Sequence, residues 1–179
     1  MKKSTYEAQV KKALAMYEKA GIVLSDEEKK NVEVADFGLD NVDGVGLQIV
    51  TYINTERVCA KEMVLLPHQT CPEHKHVSNN GQEGKEETFR CRYGKCYLYV
   101  AGEGKKDDVQ AIIPPTDVTV FHEVVLNPGE QYTIMPETWH WFQAGDDGAV
   151  ISEFSTRSTD ETDVFTDKSI VRQTVITTI

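Results

Sequence analysis

The 179-residue sequence predicts a single all-β barrel preceded by short helices. Two observations carry this. From Ala35 onward, short runs of β-branched and aromatic residues alternate with clusters of Gly, Pro, Asn and Asp. Helical periodicity is confined to the stretch before that point, and no solenoid-length repeat or low-complexity tract interrupts the pattern. A chain of this length, 40% hydrophobic, can bury a core without disulfides.

In chain order, a first helix is predicted over residues 4–20. Ser4 and Glu7 stand at capping-box spacing, Val10, Ala13, Leu14, Tyr17 and Ala20 recur at helical spacing, and Gly21 marks the stop. Ser25-Asp26-Glu27-Glu28 opens a second short helix by the same capping logic. The expected strands are 47–53, 59–66, 87–92, 96–100, 118–126, 131–135, 140–144 and 150–155, with a turn at Tyr93-Gly94-Lys95 and a charged hairpin tip at 102–108. Residues 1–34 read as a helical segment packed on the barrel or a second subunit, 35–156 as the barrel, and 157–179 as a tail wrapping the barrel or a partner, all one structural domain.

The formal charge of −10 argues against general nucleic-acid binding. No apolar run reaches the roughly 18 residues of a membrane span, and the start lacks the apolar core of a secretory signal, so a cytoplasmic protein without membrane contact is expected. Cys59, Cys71, Cys91 and Cys96 form no CxxC pair and read as reduced, mostly buried thiols.

His74 and His76 are two residues apart, and in an extended segment such side chains share a face, so both imidazoles can reach one ion. An isolated HxH pair is usually incidental. Here Glu87 opens the following strand with Gly94 seven residues on, and Gly129, Pro136 and His140 form G-x6-P-x3-H. Those two halves, in that order, resemble the cupin motif. The resemblance implies a cupin barrel (a double-stranded β-helix, jelly-roll-like) with a divalent metal near its centre on His74, His76, Glu87 and His140. Three imidazoles and a carboxylate suit manganese, zinc, iron, cobalt or nickel. Ten residues separate His76 from Glu87, a longer loop than general cupins have. Glu86 is the rival ligand, but strand alternation lets only one of the pair face inward, and the spacing to Gly94 favours Glu87. His68 and His122 fit neither half and read as structural.

Further stretches narrow the resemblance: Val32–Leu39, Lys61–Pro67, Thr70–His76, Gly84–Arg90 and Asp163–Asp167. They resemble the bacterial D-lyxose isomerase family. That resemblance implies interconversion of D-lyxose and D-xylulose, with D-mannose and D-fructose as further substrates, manganese as the usual metal, and a homodimer.

For such a reaction a metal would stabilise the enediolate and a carboxylate base must stand near the carbon. Glu153 is the candidate base, because it interrupts the apolar strand Val150–Ser155, where a carboxylate needs a cation or cavity to be tolerated. Lys85, two residues before Glu87, shares its face if the strand already runs there, and would bind a sugar hydroxyl or stabilise the oxyanion. Phe142 shares the ligand face with His140, while Trp139 and Trp141 point to the core or an interface. Asp163 and Arg172 stand in the tail, where they would line the substrate pocket or tie the tail down through an ion pair. The alternatives left open are a cupin phosphosugar isomerase, an iron dioxygenase and a non-catalytic metal-dependent sugar-binding module. Lys85, Arg90 and Arg92 are the cations near enough to serve a phosphate, and alternation splits Arg90 and Arg92 from Lys85.

Overall fold

A computed structural model describes residues 1–177. The tail expected over 157–179 is therefore described except for its last two residues, which lie outside. Among the described residues, nine strands curl into one barrel-shaped sheet behind two helices. The helices are α1 (Lys3–Lys19) and α2 (Asp26–Lys30). The strands are β1 (Glu33–Ala35), β2 (Leu47–Asn54), β3 (Cys59–Leu65), β4 (Thr70–Lys75), β5 (Glu87–Val100), β6 (His122–Leu126), β7 (Gln131–Ile134), β8 (His140–Ser155) and β9 (Val164–Phe165).

The long strands differ most from expectation. Residues 87–100 run as one strand, and so do 140–155, where two separate strands each were expected. Gly94 and Gly148 explain the difference. Both adopt left-handed backbone, φ 71° and φ 78°, and the ladder between β5 and β8 shifts register at this point. A Cβ on Gly94 would drive into the carbonyl oxygen of Gly148. The predicted turn is thus a pair of facing bulges that bend both strands without ending them. One half of β5 pairs across Val100↔His140, the other across Glu87↔Ser155.

Inward-facing residues follow strand alternation. Met63, Leu65, Phe89, Leu98, Phe142 and Ile151 belong to the core inside the barrel. On the outer face, Ala13, Met16 and Tyr17 of α1 pack on Val50, Val64 and Val150. The Tyr17 hydroxyl donates to the Glu62 carbonyl at 2.7 Å. The α2 cap at Ser25 forms the expected capping box with Glu28. The Ser4 cap does not form, and the helix instead starts one residue earlier with Lys2 as its N-cap. The tail supplies the missing partner, since Lys3 N–H donates to the Thr177 carbonyl at 2.9 Å.

The segment 102–108 is a hairpin tip only in its position. It belongs to a long excursion between β5 and β6 that contains a short 3-10 turn at Lys106–Asp108. After β8 the tail runs back over its own barrel. β9 pairs with β4 through His74↔Phe165, and Val171 N–H donates to the Phe37 carbonyl at 3.0 Å.

Replacing Gly94 with Ala forces a side chain into left-handed backbone, at a cost of about 1–3 kcal/mol before the collision with Gly148 is counted. Urea unfolding of Gly94→Ala should show at least that loss. An unchanged midpoint would contradict the facing-bulge account.

Candidate functional site

Four side chains converge where β4, β5 and β8 meet. His74 lies on β4, directly across from His140 at the start of β8. His76 follows β4, and its carbonyl accepts from Glu137 N–H at 3.0 Å, which ties it to the turn before His140. Glu87 opens β5 and is buried, whereas Glu86 is exposed, as alternation predicted. Candidate ligand atoms of all four lie within 4.8 Å of one another. Glu87 Oε1 stands 3.0 Å from His76 Nε2 and 3.1 Å from His140 Nε2.

The second nitrogen of each ring is already committed. His74 Nδ1 donates to the Pro72 carbonyl at 2.8 Å, His140 Nδ1 to the Thr138 carbonyl at 2.9 Å, and His76 Nδ1 to Asp163 Oδ1 at 2.6 Å. These bonds turn Nε2 of each ring toward one point, where His76 Nε2 meets Glu87. His140 Nε2 is fully buried and, although Glu87 Oε1 stands 3.1 Å away, makes no hydrogen bond of good geometry among the described residues. A buried nitrogen left this way is costly unless something else binds it. Donors around a six-coordinate ion at about 2.1 Å stand about 3 Å apart, the spacing seen here. The cluster therefore fits a divalent metal.

The charges around it agree. Burial and the neighbouring His140 and His76 rings hold His74 well below the usual histidine range, in its neutral, ligating form. Burial also disfavours charge on His76, but the Glu87 carboxylate outweighs it and lifts this imidazole to about 9. Burial opposes the charge on Glu87, yet Lys85 and His76 hold it well below the ordinary carboxylate range.

Above this cluster lies a second, ionic one. Lys85 is buried and shares the Glu87 face, with Nζ 2.8 Å from Glu87 Oε2, 3.0 Å from Glu153 Oε1 and 3.3 Å from Asp160 Oδ1. Burial works against its charge, but those carboxylates raise it well above the usual lysine range. Glu153 faces inward, with Lys61 and Phe89 as its cross-strand neighbours. Its Oε1 also accepts from the Ser155 hydroxyl at 3.1 Å, and among the described residues no group bonds its Oε2. Phe142 is buried edge-on to Phe89 and lines the same cavity, whereas Trp141 turns outward to stack on Tyr99. Trp139 carries the Lys75 ammonium 5.2 Å from its ring. His68 and His122 are exposed, His68 beside Asp146 at 3.2 Å and His122 beside the Glu103 carbonyl at 2.9 Å.

The tail residues divide their roles. Asp163 binds His76, while Arg172 pairs with Glu33 at 2.6 Å and Asp160 at 3.3 Å. The tail is tied down by an ion pair, but its acid is Glu33 of β1 rather than Asp163, and Asp160 braces Arg172 from within the tail. Lys61, Asp160 and Glu73 had not been singled out. Lys61 was detectable, because it interrupts the inward alternation of Cys59, Met63 and Leu65 as Glu153 interrupts its own strand. Asp160 sits in a polar run with no periodicity to distinguish it. Glu73 is buried beside His74 and accepts from Thr119 N–H, Thr119 Oγ1, Val120 N–H and Thr166 Oγ1, bracing β4 against a loop and the tail.

Comparison with known proteins agrees with this geometry. The model of the D-lyxose isomerase family matches residues 26–178. The chain belongs to that family. It is 60% identical over 164 residues to the D-lyxose ketol-isomerase of Cohnella laeviribosi, covering 90% of each chain. It is 55% identical over 176 residues to the D-lyxose/D-mannose isomerase of Thermosediminibacter oceani, covering 96% of each. Among solved structures, L-ribose isomerases of Acinetobacter sp. DL28 and Cellulomonas parahominis align with TM-scores of 0.76 and 0.75, over 99% of this chain and 98% of theirs. At 16% and 17% identity they share its cupin fold.

Metal can bind His76 only through an unprotonated Nε2, so at neutral pH binding should release about one proton from this ring. Affinity should rise as pH climbs from 7 towards about 9, the value to which His76 is lifted, and level off above it. Calorimetry in buffers of different ionisation enthalpy measures the release. Asp163→Asn, which weakens the bond orienting His76, should lower metal affinity about 10- to 100-fold without unfolding the barrel.

Proposed function

We propose that the protein is a metal-dependent aldose–ketose isomerase interconverting D-lyxose and D-xylulose, with D-mannose and D-fructose as further substrates. The observation that carries the reading is Glu153, a buried carboxylate held by Lys85 within reach of a His3Glu metal cluster. His74, His76, Glu87 and His140 would hold the ion, manganese in this reading. Bound there, it would act as a Lewis acid, acidifying the carbon beside the sugar carbonyl.

The protein side chains do the rest. Lys85 and Ser155 both occupy Glu153 Oε1, which leaves Oε2 to take the proton from C2 of the aldose and return it to C1. The Lys85 ammonium can give a proton to the carbonyl oxygen as charge gathers there, and recover one from the neighbouring hydroxyl. Phe142 and Phe89 cover the apolar side of the cavity and keep water from the reacting carbons. Arg172 and Asp163, both lining the cavity, are proposed to meet the distal hydroxyls. The relatives' names support the substrate assignment.

No observation favours a phosphosugar. Arg90 faces outward to Gln131, and each cation lining the cavity already faces a carboxylate. All four cysteines are buried free thiols, which suits a reducing cytoplasm. The exposed Ile53, Val58 and Phe154 give a homodimer an apolar face to bury.

Manganese-loaded protein should form D-xylulose from D-lyxose, lose activity to a chelator and regain it with manganese. In D2O the product should carry deuterium at C1. A product without solvent deuterium would point to a hydride shift and remove Glu153 from its role. Glu153→Gln should lower kcat about 100- to 10,000-fold while metal binding is kept.

A further inference from the structure

The metal cavity is narrow. It offers only ≈ 30 Å³ for water centres, room for a water or two and far too little for a pentose. Beside it lies an open cleft of ≈ 760 Å³ by the same measure, lined by Tyr6, Thr51, Asn54, Ser158, Gln173 and Thr174 among others. Lys61, Asp160 and Arg172 line both spaces and form the wall between them.

That wall is made of ion pairs rather than packed carbon. Asp160 Oδ2 is 2.7 Å from Lys61 Nζ and 3.3 Å from Arg172 Nη2, and its Oδ1 is 3.3 Å from Lys85 Nζ. Lys61 also donates to the Ser158 hydroxyl at 2.8 Å. The Asp160 and Arg172 side chains are 20% and 19% exposed, so the pairs sit at the edge of solvent. Asp160's side-chain partners Lys61, Lys85, Arg172 and Ser158 all come from outside its own short 3-10 turn, Asp160–Thr162. Moving that turn would separate the pairs without breaking a sheet ladder. A competing cleft, near Asn80 and Glu83, meets the metal cavity only through Lys85, whose side chain is 3% exposed.

We infer that Lys61, Asp160 and Arg172 form an ionic gate through which a neutral sugar passes from the outer cleft to the metal cavity. Sugar hydroxyls both donate and accept hydrogen bonds, so they can replace each partner in turn as the gate opens. Thr51, Asn54, Ser158, Gln173 and Thr174 give the sugar a polar holding site before it enters. A phosphate would instead bind the gate's lysine and arginine and stay there. The identity of the traveller rests on the isomerase reading; the gate itself rests on the geometry.

Cys71 lines the metal cavity and is buried, so its reaction with a maleimide reports gate opening without turnover. Trypsin places it as the sole cysteine in the peptide Glu62–Lys75, where mass spectrometry reads it alone. In manganese-loaded protein, Asp160→Asn should speed Cys71 labelling at least tenfold. Adding Thr51→Trp, which fills the outer cleft, should bring the rate most of the way back, and Glu83→Trp in the competing cleft should not. In the otherwise native enzyme, Thr51→Trp should lower kcat/KM for D-lyxose at least fivefold while Glu83→Trp stays within twofold. Labelling indifferent to Asp160→Asn overturns the gate. Blocking by Glu83→Trp instead of Thr51→Trp overturns the route. A native protein with no turnover would defeat the isomerase reading, and the labelling rates would still decide the gate.

Discussion

The Lys85 ammonium joins three carboxylates that belong to three different parts of the chain. Glu87 sits in the histidine cluster, Glu153 projects from the middle of the barrel wall, and Asp160 comes from the tail. Without Lys85 these acids would share a low-dielectric space with like charges, and at least one would have to take up a proton. With it, the ammonium outweighs the cost of burial and holds Glu87 and Asp160 well below the ordinary carboxylate range. A lysine is rarely buried, and this one is tolerable only because every direction its charge faces is answered. Removing Lys85 would leave buried carboxylates uncompensated and would disturb the histidine cluster, Glu153 and the tail together.

Placing these groups together depends on two strands long enough to cross the whole barrel. β5 brings Glu87 and Phe89 to one end and Leu98 to the other, and β8 carries both His140 and Glu153. A straight pair could not keep both ends facing inward around a closed barrel. The facing bulges at Gly94 and Gly148 supply the bend, which explains why glycine is needed seven residues after the metal-side glutamate. The spacing that marks the motif in sequence is thus the distance from the site to the barrel's corner.

Much of the site was legible because alternation is a strict rule. It separated Glu87 from Glu86 and Phe142 from Trp141 and put Lys85 on the Glu87 face, while Glu153 stood out as a carboxylate interrupting an apolar strand. It failed where the chain is irregular. Between Cys71 and His74 the β4–β8 register shifts, so both residues face inward although their spacing is odd. In the tail there is no strand long enough to count along, and Asp160 looked like any other surface acid. Ser4 failed as a cap for a related reason: the group that satisfies the helix start lies at the opposite end of the chain, and no local pattern announces a partner that distant.

The balance of charge in the cavity also bears on which sugars suit it. Lys61, Lys85 and Arg172 line it opposite Glu87, Glu153, Asp160 and Asp163, three basic side chains against four acidic ones. A divalent ion held among the histidines would tip that near-balance to a small positive excess, too little to hold a phosphate dianion without breaking internal pairs. A neutral polyol makes no such demand. Once past the gate, it would exchange hydrogen bonds with groups that have regained their ionic partners, which would leave the pairs around Glu153 in place. Selectivity for an unphosphorylated sugar then follows from the prior engagement of the cations, and needs no dedicated residue to repel the phosphate.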